Sequence, residues 1–291
     1  MSQPIHHLID VNNLQISAYE WNPESRGQQP TLILVHATGF HARCWDQVIK
    51  QLPQRHIIAV DQRAHGLSSN TSFDNWHDFG EDLAAALEAM GVENAFGVGH
   101  SMGGHAATMA ASLKPGLFAG LMLIDPVIMS KDFYNFWDAS VLEGEPNHPA
   151  VKRRNDFTSV EEAIERYRDR NPYAIFDPQA LDDYFRFGLH DADEGLLLAC
   201  PPMLEARVYD SALSNAAIYD AVHSLQQPVT VVRAMQPPSM EALMKDFRYS
   251  PTWPELAGEF ANGRDVLLED LTHFMPMQAP KRVAELIKEC F

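Results

Sequence analysis

The sequence predicts an α/β architecture, a mostly parallel, doubly wound sheet of about eight strands interrupted by a mostly helical insertion. Three observations predict it. Short apolar runs alternate with helical patterns as β-α-β-α-β-α-β up to Asp125, the order produced when crossover helices cover both faces of a parallel sheet. The alternation breaks at Pro126, and from Val127 to about Leu225 no strong apolar strand appears, although that stretch is too long for a loop. Sheet-like sequence then resumes at Pro228-Val229-Thr230-Val231-Val232-Arg233. With 291 residues and 46% hydrophobic side chains, the chain suits one large α/β domain with a sizeable core.

The elements follow in order. Ile5–Asp10 and Leu14–Trp21 flank Asn12-Asn13, residue types suited to a hairpin turn, and His6-His7 falls in the first of these strands. Pro30 ends a polar linker, and Thr31–His36 is a continuous apolar strand of the kind buried on both faces. A helix over about Ala42 to Gln51 and a strand at Ile57–Asp61 come next. Asp74–Met90 reads as a helix with Asp74 as its N-cap and Gly91 just past its end. Ala95–Val98 is a short buried strand, Gly104–Leu113 a helix of small and apolar residues, and Gly120–Asp125 a further strand. Helical patterning marks Val160–Arg168 and Gln179–Phe187 inside the insertion. A helix near Leu256–Phe260, a strand at Asp265–Glu269 and a helix from Pro280 to Cys290 complete the chain. The expected division is a core of residues 1–126 and 226–291 and a helical cap insertion of residues 127–225.

Composition narrows the function. A formal net charge of −17 argues against nucleic acid, whose phosphates need clustered Lys and Arg, and disfavours an anionic membrane surface. The three cysteines, Cys44, Cys200 and Cys290, are odd in number and widely spaced, so no disulfide framework is implied. The first residues lack the basic start and apolar run of a signal peptide, and no apolar stretch reaches transmembrane length. These features predict a cytoplasmic protein and say little about its substrate. They do not address its oligomeric state. Metal-ligand spacings, a dinucleotide-binding glycine fingerprint and a P-loop are all absent from the sequence, so no cofactor or metal is expected.

Between the Ala95–Val98 strand and the helix that follows stands Gly99-His100-Ser101-Met102-Gly103, a Gly-x-Ser-x-Gly pattern. A strand, a sharp turn and a helix present a serine hydroxyl as a nucleophile. Three further blocks accompany it in order: the apolar strand running into His36-Ala37-Thr38-Gly39-Phe40 with Trp45 beyond, Asp61-Gln62-Arg63-Ala64-His65-Gly66-Leu67-Ser68, and Thr272-His273-Phe274-Met275-Pro276 ahead of the final helix. Together the four blocks resemble the α/β-hydrolase superfamily, in its serine-nucleophile subgroup with a helical cap, over nearly the whole chain.

The resemblance implies roles. Ser101 is the nucleophile and His273 the base that takes its proton, since a serine hydroxyl needs an adjacent base to react. The acid that orients the imidazole commonly follows the strand after the cap, but Ala234-Met235-Gln236-Pro237-Pro238-Ser239-Met240 contains no carboxylate. Some members carry the acid instead at the end of the strand after the nucleophile helix, where Asp125 stands, at the carboxyl edge where active-site groups collect. Asp125 is therefore the favoured acid, with Glu241 and Asp246 as alternatives. The backbone N–H groups of Met102 and Thr38 are the expected oxyanion-hole donors, with Ala37 standing where the family has glycine. His36, His65 and His100 read as supporting residues. Phe133, Tyr134, Phe136 and Trp137 either line an apolar acyl pocket or pack the cap onto the sheet, and Lys152-Arg153-Arg154 reads first as solvated surface, with recognition of a carboxylate-bearing substrate as the lesser reading.

The function expected is hydrolysis of an ester or lactone of a small, largely apolar acid through an acyl-serine intermediate. Carbon–carbon bond hydrolysis, perhydrolysis and related cofactor-free reactions use the same triad, and a catalytically silent ligand-binding scaffold is the alternative outside enzymology. Ser101 at the elbow argues against epoxide hydrolases and haloalkane dehalogenases, which use a carboxylate there.

Overall fold

The computed structural model describes residues 3–290. Its strands are β1 (Ile5–Val11), β2 (Leu14–Trp21), β3 (Leu32–Val35), β4 (Ile57–Val60), β5 (Ala95–His100), β6 (Phe118–Ile124), β7 (Asp156–Phe157), β8 (Leu189–Asp191), β9 (Leu196–Leu198), β10 (Val229–Arg233) and β11 (Gly263–Leu267). The α-helices are α1 (Asp46–Ile49), α2 (His77–Ala89), α3 (Met102–Leu113), α4 (Lys131–Tyr134), α5 (Val160–Tyr167), α6 (Pro178–Gly188), α7 (Pro202–Asp210), α8 (Ile218–Ser224), α9 (Met240–Lys245), α10 (Met275–Gln278) and α11 (Pro280–Lys288). Eight strands form one sheet in the order β1-β2-β4-β3-β5-β6-β10-β11. β1 pairs antiparallel with β2 and β2 with β4, whereas every other neighbouring pair is parallel.

Period-two alternation fixes which side chains serve which face. Ile33 and Val35 of β3, with Leu121 and Leu123 of β6, pack against Leu83 of α2, Ala107 of α3 and Val222 of α8. Their sequence neighbours Leu32, Leu34, Met122 and Ile124 point to the opposite face, against Val48 of α1 and Val283 and Ile287 of α11. A strand buried on both faces has no polar position to spare, which is why these runs read as continuously apolar. A third apolar cluster joins Ala37, Phe40, Phe274 and Met277 of the sheet's loops to Phe176, Leu181, Tyr184 and Phe185 from the stretch between β6 and β10.

Several local expectations are corrected. Asp74 does not cap α2: the helix starts at His77, where the Asn75 side chain accepts the His77 N–H at 2.8 Å. The buried Trp76 indole, donating to Val208 O and Ser211 Oγ, fixes that entry point. The Ala42–Gln51 helix divides into a 3-10 turn over Ala42–Trp45 and the short α1. The stretch after β6 is mostly helical, as expected, but it also holds a small three-stranded sheet, β7-β9-β8, whose strands are two or three residues long and too short to give a periodic signal. No helix among the described residues is long and apolar enough to cross a membrane.

Candidate active site

The turn between β5 and α3 holds Ser101 at φ 56° and ψ −119°. A non-glycine residue there costs on the order of 1–3 kcal/mol and persists only where its surroundings dictate it. The surroundings are tight. A Cβ on Gly103 would fall 2.3 Å from Val35 O, so only glycine lets α3 approach β3 so closely. The Ser101 N–H donates to Ile124 O at 2.9 Å, and its carbonyl accepts from Gly104 and Val127.

Around that hydroxyl, residues far apart in sequence converge. His273 Nε2 lies 3.1 Å from Ser101 Oγ, and His273 Nδ1 lies 2.6 Å from Asp125 Oδ2. An ionised carboxylate only accepts, so the ring proton sits on Nδ1, and Nε2 is left to accept from the serine hydroxyl. Asp125 follows β6 at φ 47°, a left-handed conformation that aspartate tolerates. It is fully buried. Burial by itself would raise its carboxyl, but the hydrogen bond and charge of His273, with further bonds from Ser250 and the Ala234 N–H, outweigh burial and hold it below its ordinary value. Its Oδ1 accepts from Ala234 N–H at 3.1 Å, from the Ser250 hydroxyl and from the Thr252 hydroxyl at 3.3 Å. The end of β10, where the sequence offers no acid, thus contributes a donor to the acid on β6.

Neutral histidines brace the loops. His100 Nε2 donates to the His273 carbonyl at 2.8 Å, and burial drives its ring down to about 3, so it stays uncharged. Gln278 accepts from both the N–H and the hydroxyl of Thr272, fixing the chain just ahead of His273. His36 Nδ1 donates to Ala37 O while its Nε2 accepts the Gln62 N–H at 3.0 Å. His65 Nδ1 donates to Arg63 O and its Nε2 accepts the Gly39 N–H at 2.9 Å. The buried Asp61 carboxylate accepts from Ala42 N–H, Leu67 N–H and Ser17 Oγ. Together these bonds set the course of the loop that carries Thr38. The Thr38 N–H has no acceptor among the described residues, and the Met102 N–H heads α3, where the first N–H groups lack helical partners. The Thr38 hydroxyl rests 3.5 Å from Met102 Sδ.

A cavity of about 460 Å³ adjoins this centre, bounded by Gly39 and Phe40 next to Thr38 and by Phe274 next to His273. Its remaining wall comes from the stretch between β6 and β10, with Phe247 from the loop after α9. The Tyr184 hydroxyl donates to Gly39 O at 3.0 Å, tying α6 to the loop after β3.

A family model described as "Alpha/beta hydrolase family" matches residues 32–286. The chain belongs to the alpha/beta hydrolase family. Among curated relatives, it is 26% identical over 262 residues to lipase LipV of Mycobacterium tuberculosis, which covers 88% of this chain and 91% of that protein. It is 28% identical over 137 residues to monoglyceride lipase of Homo sapiens, covering 44% of this chain and 45% of the relative. The chain thus spans less than half of the monoglyceride lipase. Among solved structures, E-2-(acetamidomethylene)succinate hydrolase superposes with a TM-score of 0.74 at 21% identity, covering 98% of both chains. That likeness concerns the fold.

The other sequence candidates lie elsewhere in this alpha/beta hydrolase family member. Glu241 is exposed and pairs with Lys245 across one turn of α9. Asp246 pairs with Arg248 at 2.7 Å. Neither makes a hydrogen bond or ion pair with His273 among the described residues, because α9 and the turn after it direct both carboxylates to neighbouring cations. Phe133 lines a separate cavity of about 310 Å³ beside Ser250 and Thr252, Tyr134 is buried in the core, and Phe136 is 79% exposed. Sequence reasoning missed Ser250, Thr252 and Gln278, which lie in or beside loops and follow no periodicity.

Proposed function

We propose that this protein is a serine hydrolase that cleaves an ester or lactone of a small, largely apolar acid through an acyl-Ser101 intermediate. The observation that carries the reading is the continuous relay from Asp125 through His273 to a strained Ser101, at 2.6 and 3.1 Å. His273 Nε2 takes the Ser101 proton as Oγ attacks the carbonyl carbon, and the imidazolium is stabilised by the ionised Asp125. The Thr38 and Met102 N–H groups receive the developing oxyanion, each such donor being worth about 2.7–4 kcal/mol in comparable sites. His273 then returns the proton to the leaving alcohol. In the second half it draws a proton from water, whose oxygen attacks the acyl carbon and frees Ser101.

The lipases and esterases among the relatives act on the same bond class. Residues 127–225 form the cap over the site in this reading, and the interlock of Phe40, Phe176, Tyr184 and Phe274 supports it. A cytoplasmic setting suits its three free thiols. The deciding experiment treats folded protein with a fluorophosphonate probe and maps the adduct by mass spectrometry, beside a p-nitrophenyl acyl-ester panel and a vinylogous diketone. Labelling of Ser101, lost in Ser101→Ala and His273→Ala, with ester turnover, is the expected result. Absence of labelling overturns the nucleophile. Faster turnover of the diketone than of every ester replaces the ester reading with carbon–carbon hydrolysis.

A further inference from the structure

The cavity beside the Thr38 loop carries an unbalanced positive charge. Its wall holds Lys152, Arg153, Arg154, Arg166 and Arg170 against a single carboxylate, Glu205. That is a concentration against the trend of a chain with 22 basic and 39 acidic residues. Two of these cations are matched. Arg153 pairs with Glu205 at 2.8 Å and bonds the Tyr184 hydroxyl, while Arg154 pairs with Glu162 at 2.8 Å and Asp156 at 3.8 Å. Lys152, Arg166 and Arg170 have no carboxylate within ion-pair distance among the described residues. Arg168, on the same stretch of chain but outside the cavity wall, is matched by Glu165 at 3.2 Å and Asp169 at 3.9 Å. Three of the five cations in the wall therefore lack a carboxylate partner among the described residues, whereas Arg153, Arg154 and the neighbouring Arg168 each have one.

The unmatched cations are also oriented. The Arg166 and Arg170 guanidinium carbons stand 6.0 and 5.9 Å from the Tyr167 ring centroid, within cation–π range. The same wall carries the aromatic side chains of Tyr173, Tyr184, Phe40 and Phe274, with Arg153 5.9 and 5.7 Å from the Tyr173 and Tyr184 ring centroids. Gly39, Phe40 and Phe274 are the wall residues nearest in the chain to Thr38 and His273, and none of the three unmatched cations is, so the cavity fits a partly apolar molecule with a charge remote from its reacting bond.

We infer that the substrate carries a carboxylate remote from its scissile acyl bond, held by Lys152, Arg166 and Arg170 while an apolar segment spans the aromatic wall. Arginine forks pair with carboxylates bidentately, and lysine adds a point charge. The inference rests on the serine-hydrolase reading and narrows its substrate class. Lys152 is exposed, as the surface reading of the Lys152-Arg153-Arg154 run expects, but the run also borders this cavity together with Arg166 and Arg170, which favours the carboxylate-recognition reading.

Two matched ester pairs test it: p-nitrophenyl hemiglutarate beside p-nitrophenyl valerate, and 4-(carboxymethyl)phenyl butyrate beside 4-ethylphenyl butyrate. In at least one pair the anionic ester is expected to lead in kcat/KM by about ten- to a hundredfold, the range of charge-assisted hydrogen bonds, with KM carrying the difference. The lead shrinks with added salt. It collapses in the triple variant Lys152→Gln/Arg166→Gln/Arg170→Gln, whose exposed positions leave folding intact. Equal or better turnover of the neutral ester in both pairs overturns the inference and leaves the hydrolase reading standing, as does a lead that survives the triple variant. Should neither ester react and no probe label Ser101, the hydrolase reading falls, and calorimetric titration of glutarate decides the anion site alone. Binding by the wild type that is lost in the triple variant supports the site, and no binding by the wild type overturns it.

Discussion

Replacing Asp125 by asparagine isolates the acid's electronic role from its structural one. The side chain keeps its shape and one carbonyl oxygen, so Ala234 N–H, Ser250 and Thr252 retain the acceptor they now share at Oδ1. What changes is the atom 2.6 Å from His273 Nδ1, where an acceptor becomes an NH₂ donor. Two donors cannot share that distance, so the imidazole moves its proton to Nε2 and turns a donor toward Ser101 Oγ. A histidine in that tautomer cannot take the serine proton. The comparable exchange in a serine protease lowers kcat by about 10⁴-fold, or roughly 5 kcal/mol of barrier at 1.36 kcal/mol per tenfold. The same order is expected here, because the Asp125 carboxylate has no solvent exposure and no water substitutes for it. Steady-state hydrolysis of p-nitrophenyl butyrate measures the effect, with thermal melting as the folding control. A kcat within tenfold of the wild type refutes the assignment, and so does an equal loss in Glu241→Gln or Asp246→Asn.

Four other perturbations are informative. Gly103→Ala would place a methyl 2.3 Å from Val35 O and 2.6 Å from His36 O, backbone atoms that cannot yield cheaply; a loss of about 1–3 kcal/mol, typical of overpacking, is expected in urea unfolding together with loss of activity, whereas the stabilisation that alanine brings to an open helix would contradict the close approach. Gly66→Ala meets the Asp61 carboxylate at 2.2 Å from a residue at φ +53°, so it should raise KM and lower Tm together by loosening the Thr38 loop; unchanged kinetics would dismiss that link. Burial lowers the rings of His36, His41, His65, His100 and His105, to about 4 for His41 and His105. The unfolded chain therefore binds more protons below about pH 6.5, and stability measured by urea midpoint should fall from there toward pH 4 at up to roughly 1.4 kcal/mol per pH unit for each such ring; Asp46 and Asp61, raised by burial, oppose the trend in part, and a flat profile would mean that the rings are not buried in solution. Finally, Asp125 is held low, so its contribution to stability is present above the carboxylate's ordinary range and is lost only as pH falls through its lowered value. Asp125→Asn should accordingly lose less stability than the wild type as pH falls below the ordinary carboxylate range, and a wild-type urea midpoint that falls no faster than the variant's there would contradict the lowered carboxyl.

The sheet was legible because strands buried on both faces leave unbroken apolar runs, as Leu32–Val35 and Leu121–Ile124 do. The elbow was legible because close backbone packing demands glycine at fixed offsets from Ser101. Asp125 was legible through the family resemblance, which offers the end of the strand after the nucleophile helix once no acid follows Arg233, and its partners Ser250 and Thr252 lie on a loop whose course is set by tertiary contacts. The cationic cavity was partly visible in Lys152-Arg153-Arg154 and otherwise hidden. Which basic residues border the cavity depends on how the segments between β6 and β10 fold together, and no periodicity records that.

The bond from His100 to the His273 carbonyl has a consequence for how the protein comes to be active. The residue beside Ser101 holds the main chain of His273, the proposed base, across a gap of 173 positions in sequence. A chain that ends before Thr272 could fold much of its sheet and present Ser101 with no group to deprotonate it. If the proposed roles hold, reactivity waits for the segment that carries His273. In the proposed mechanism the base is thus the last member of the relay to be synthesised, after every strand of the sheet.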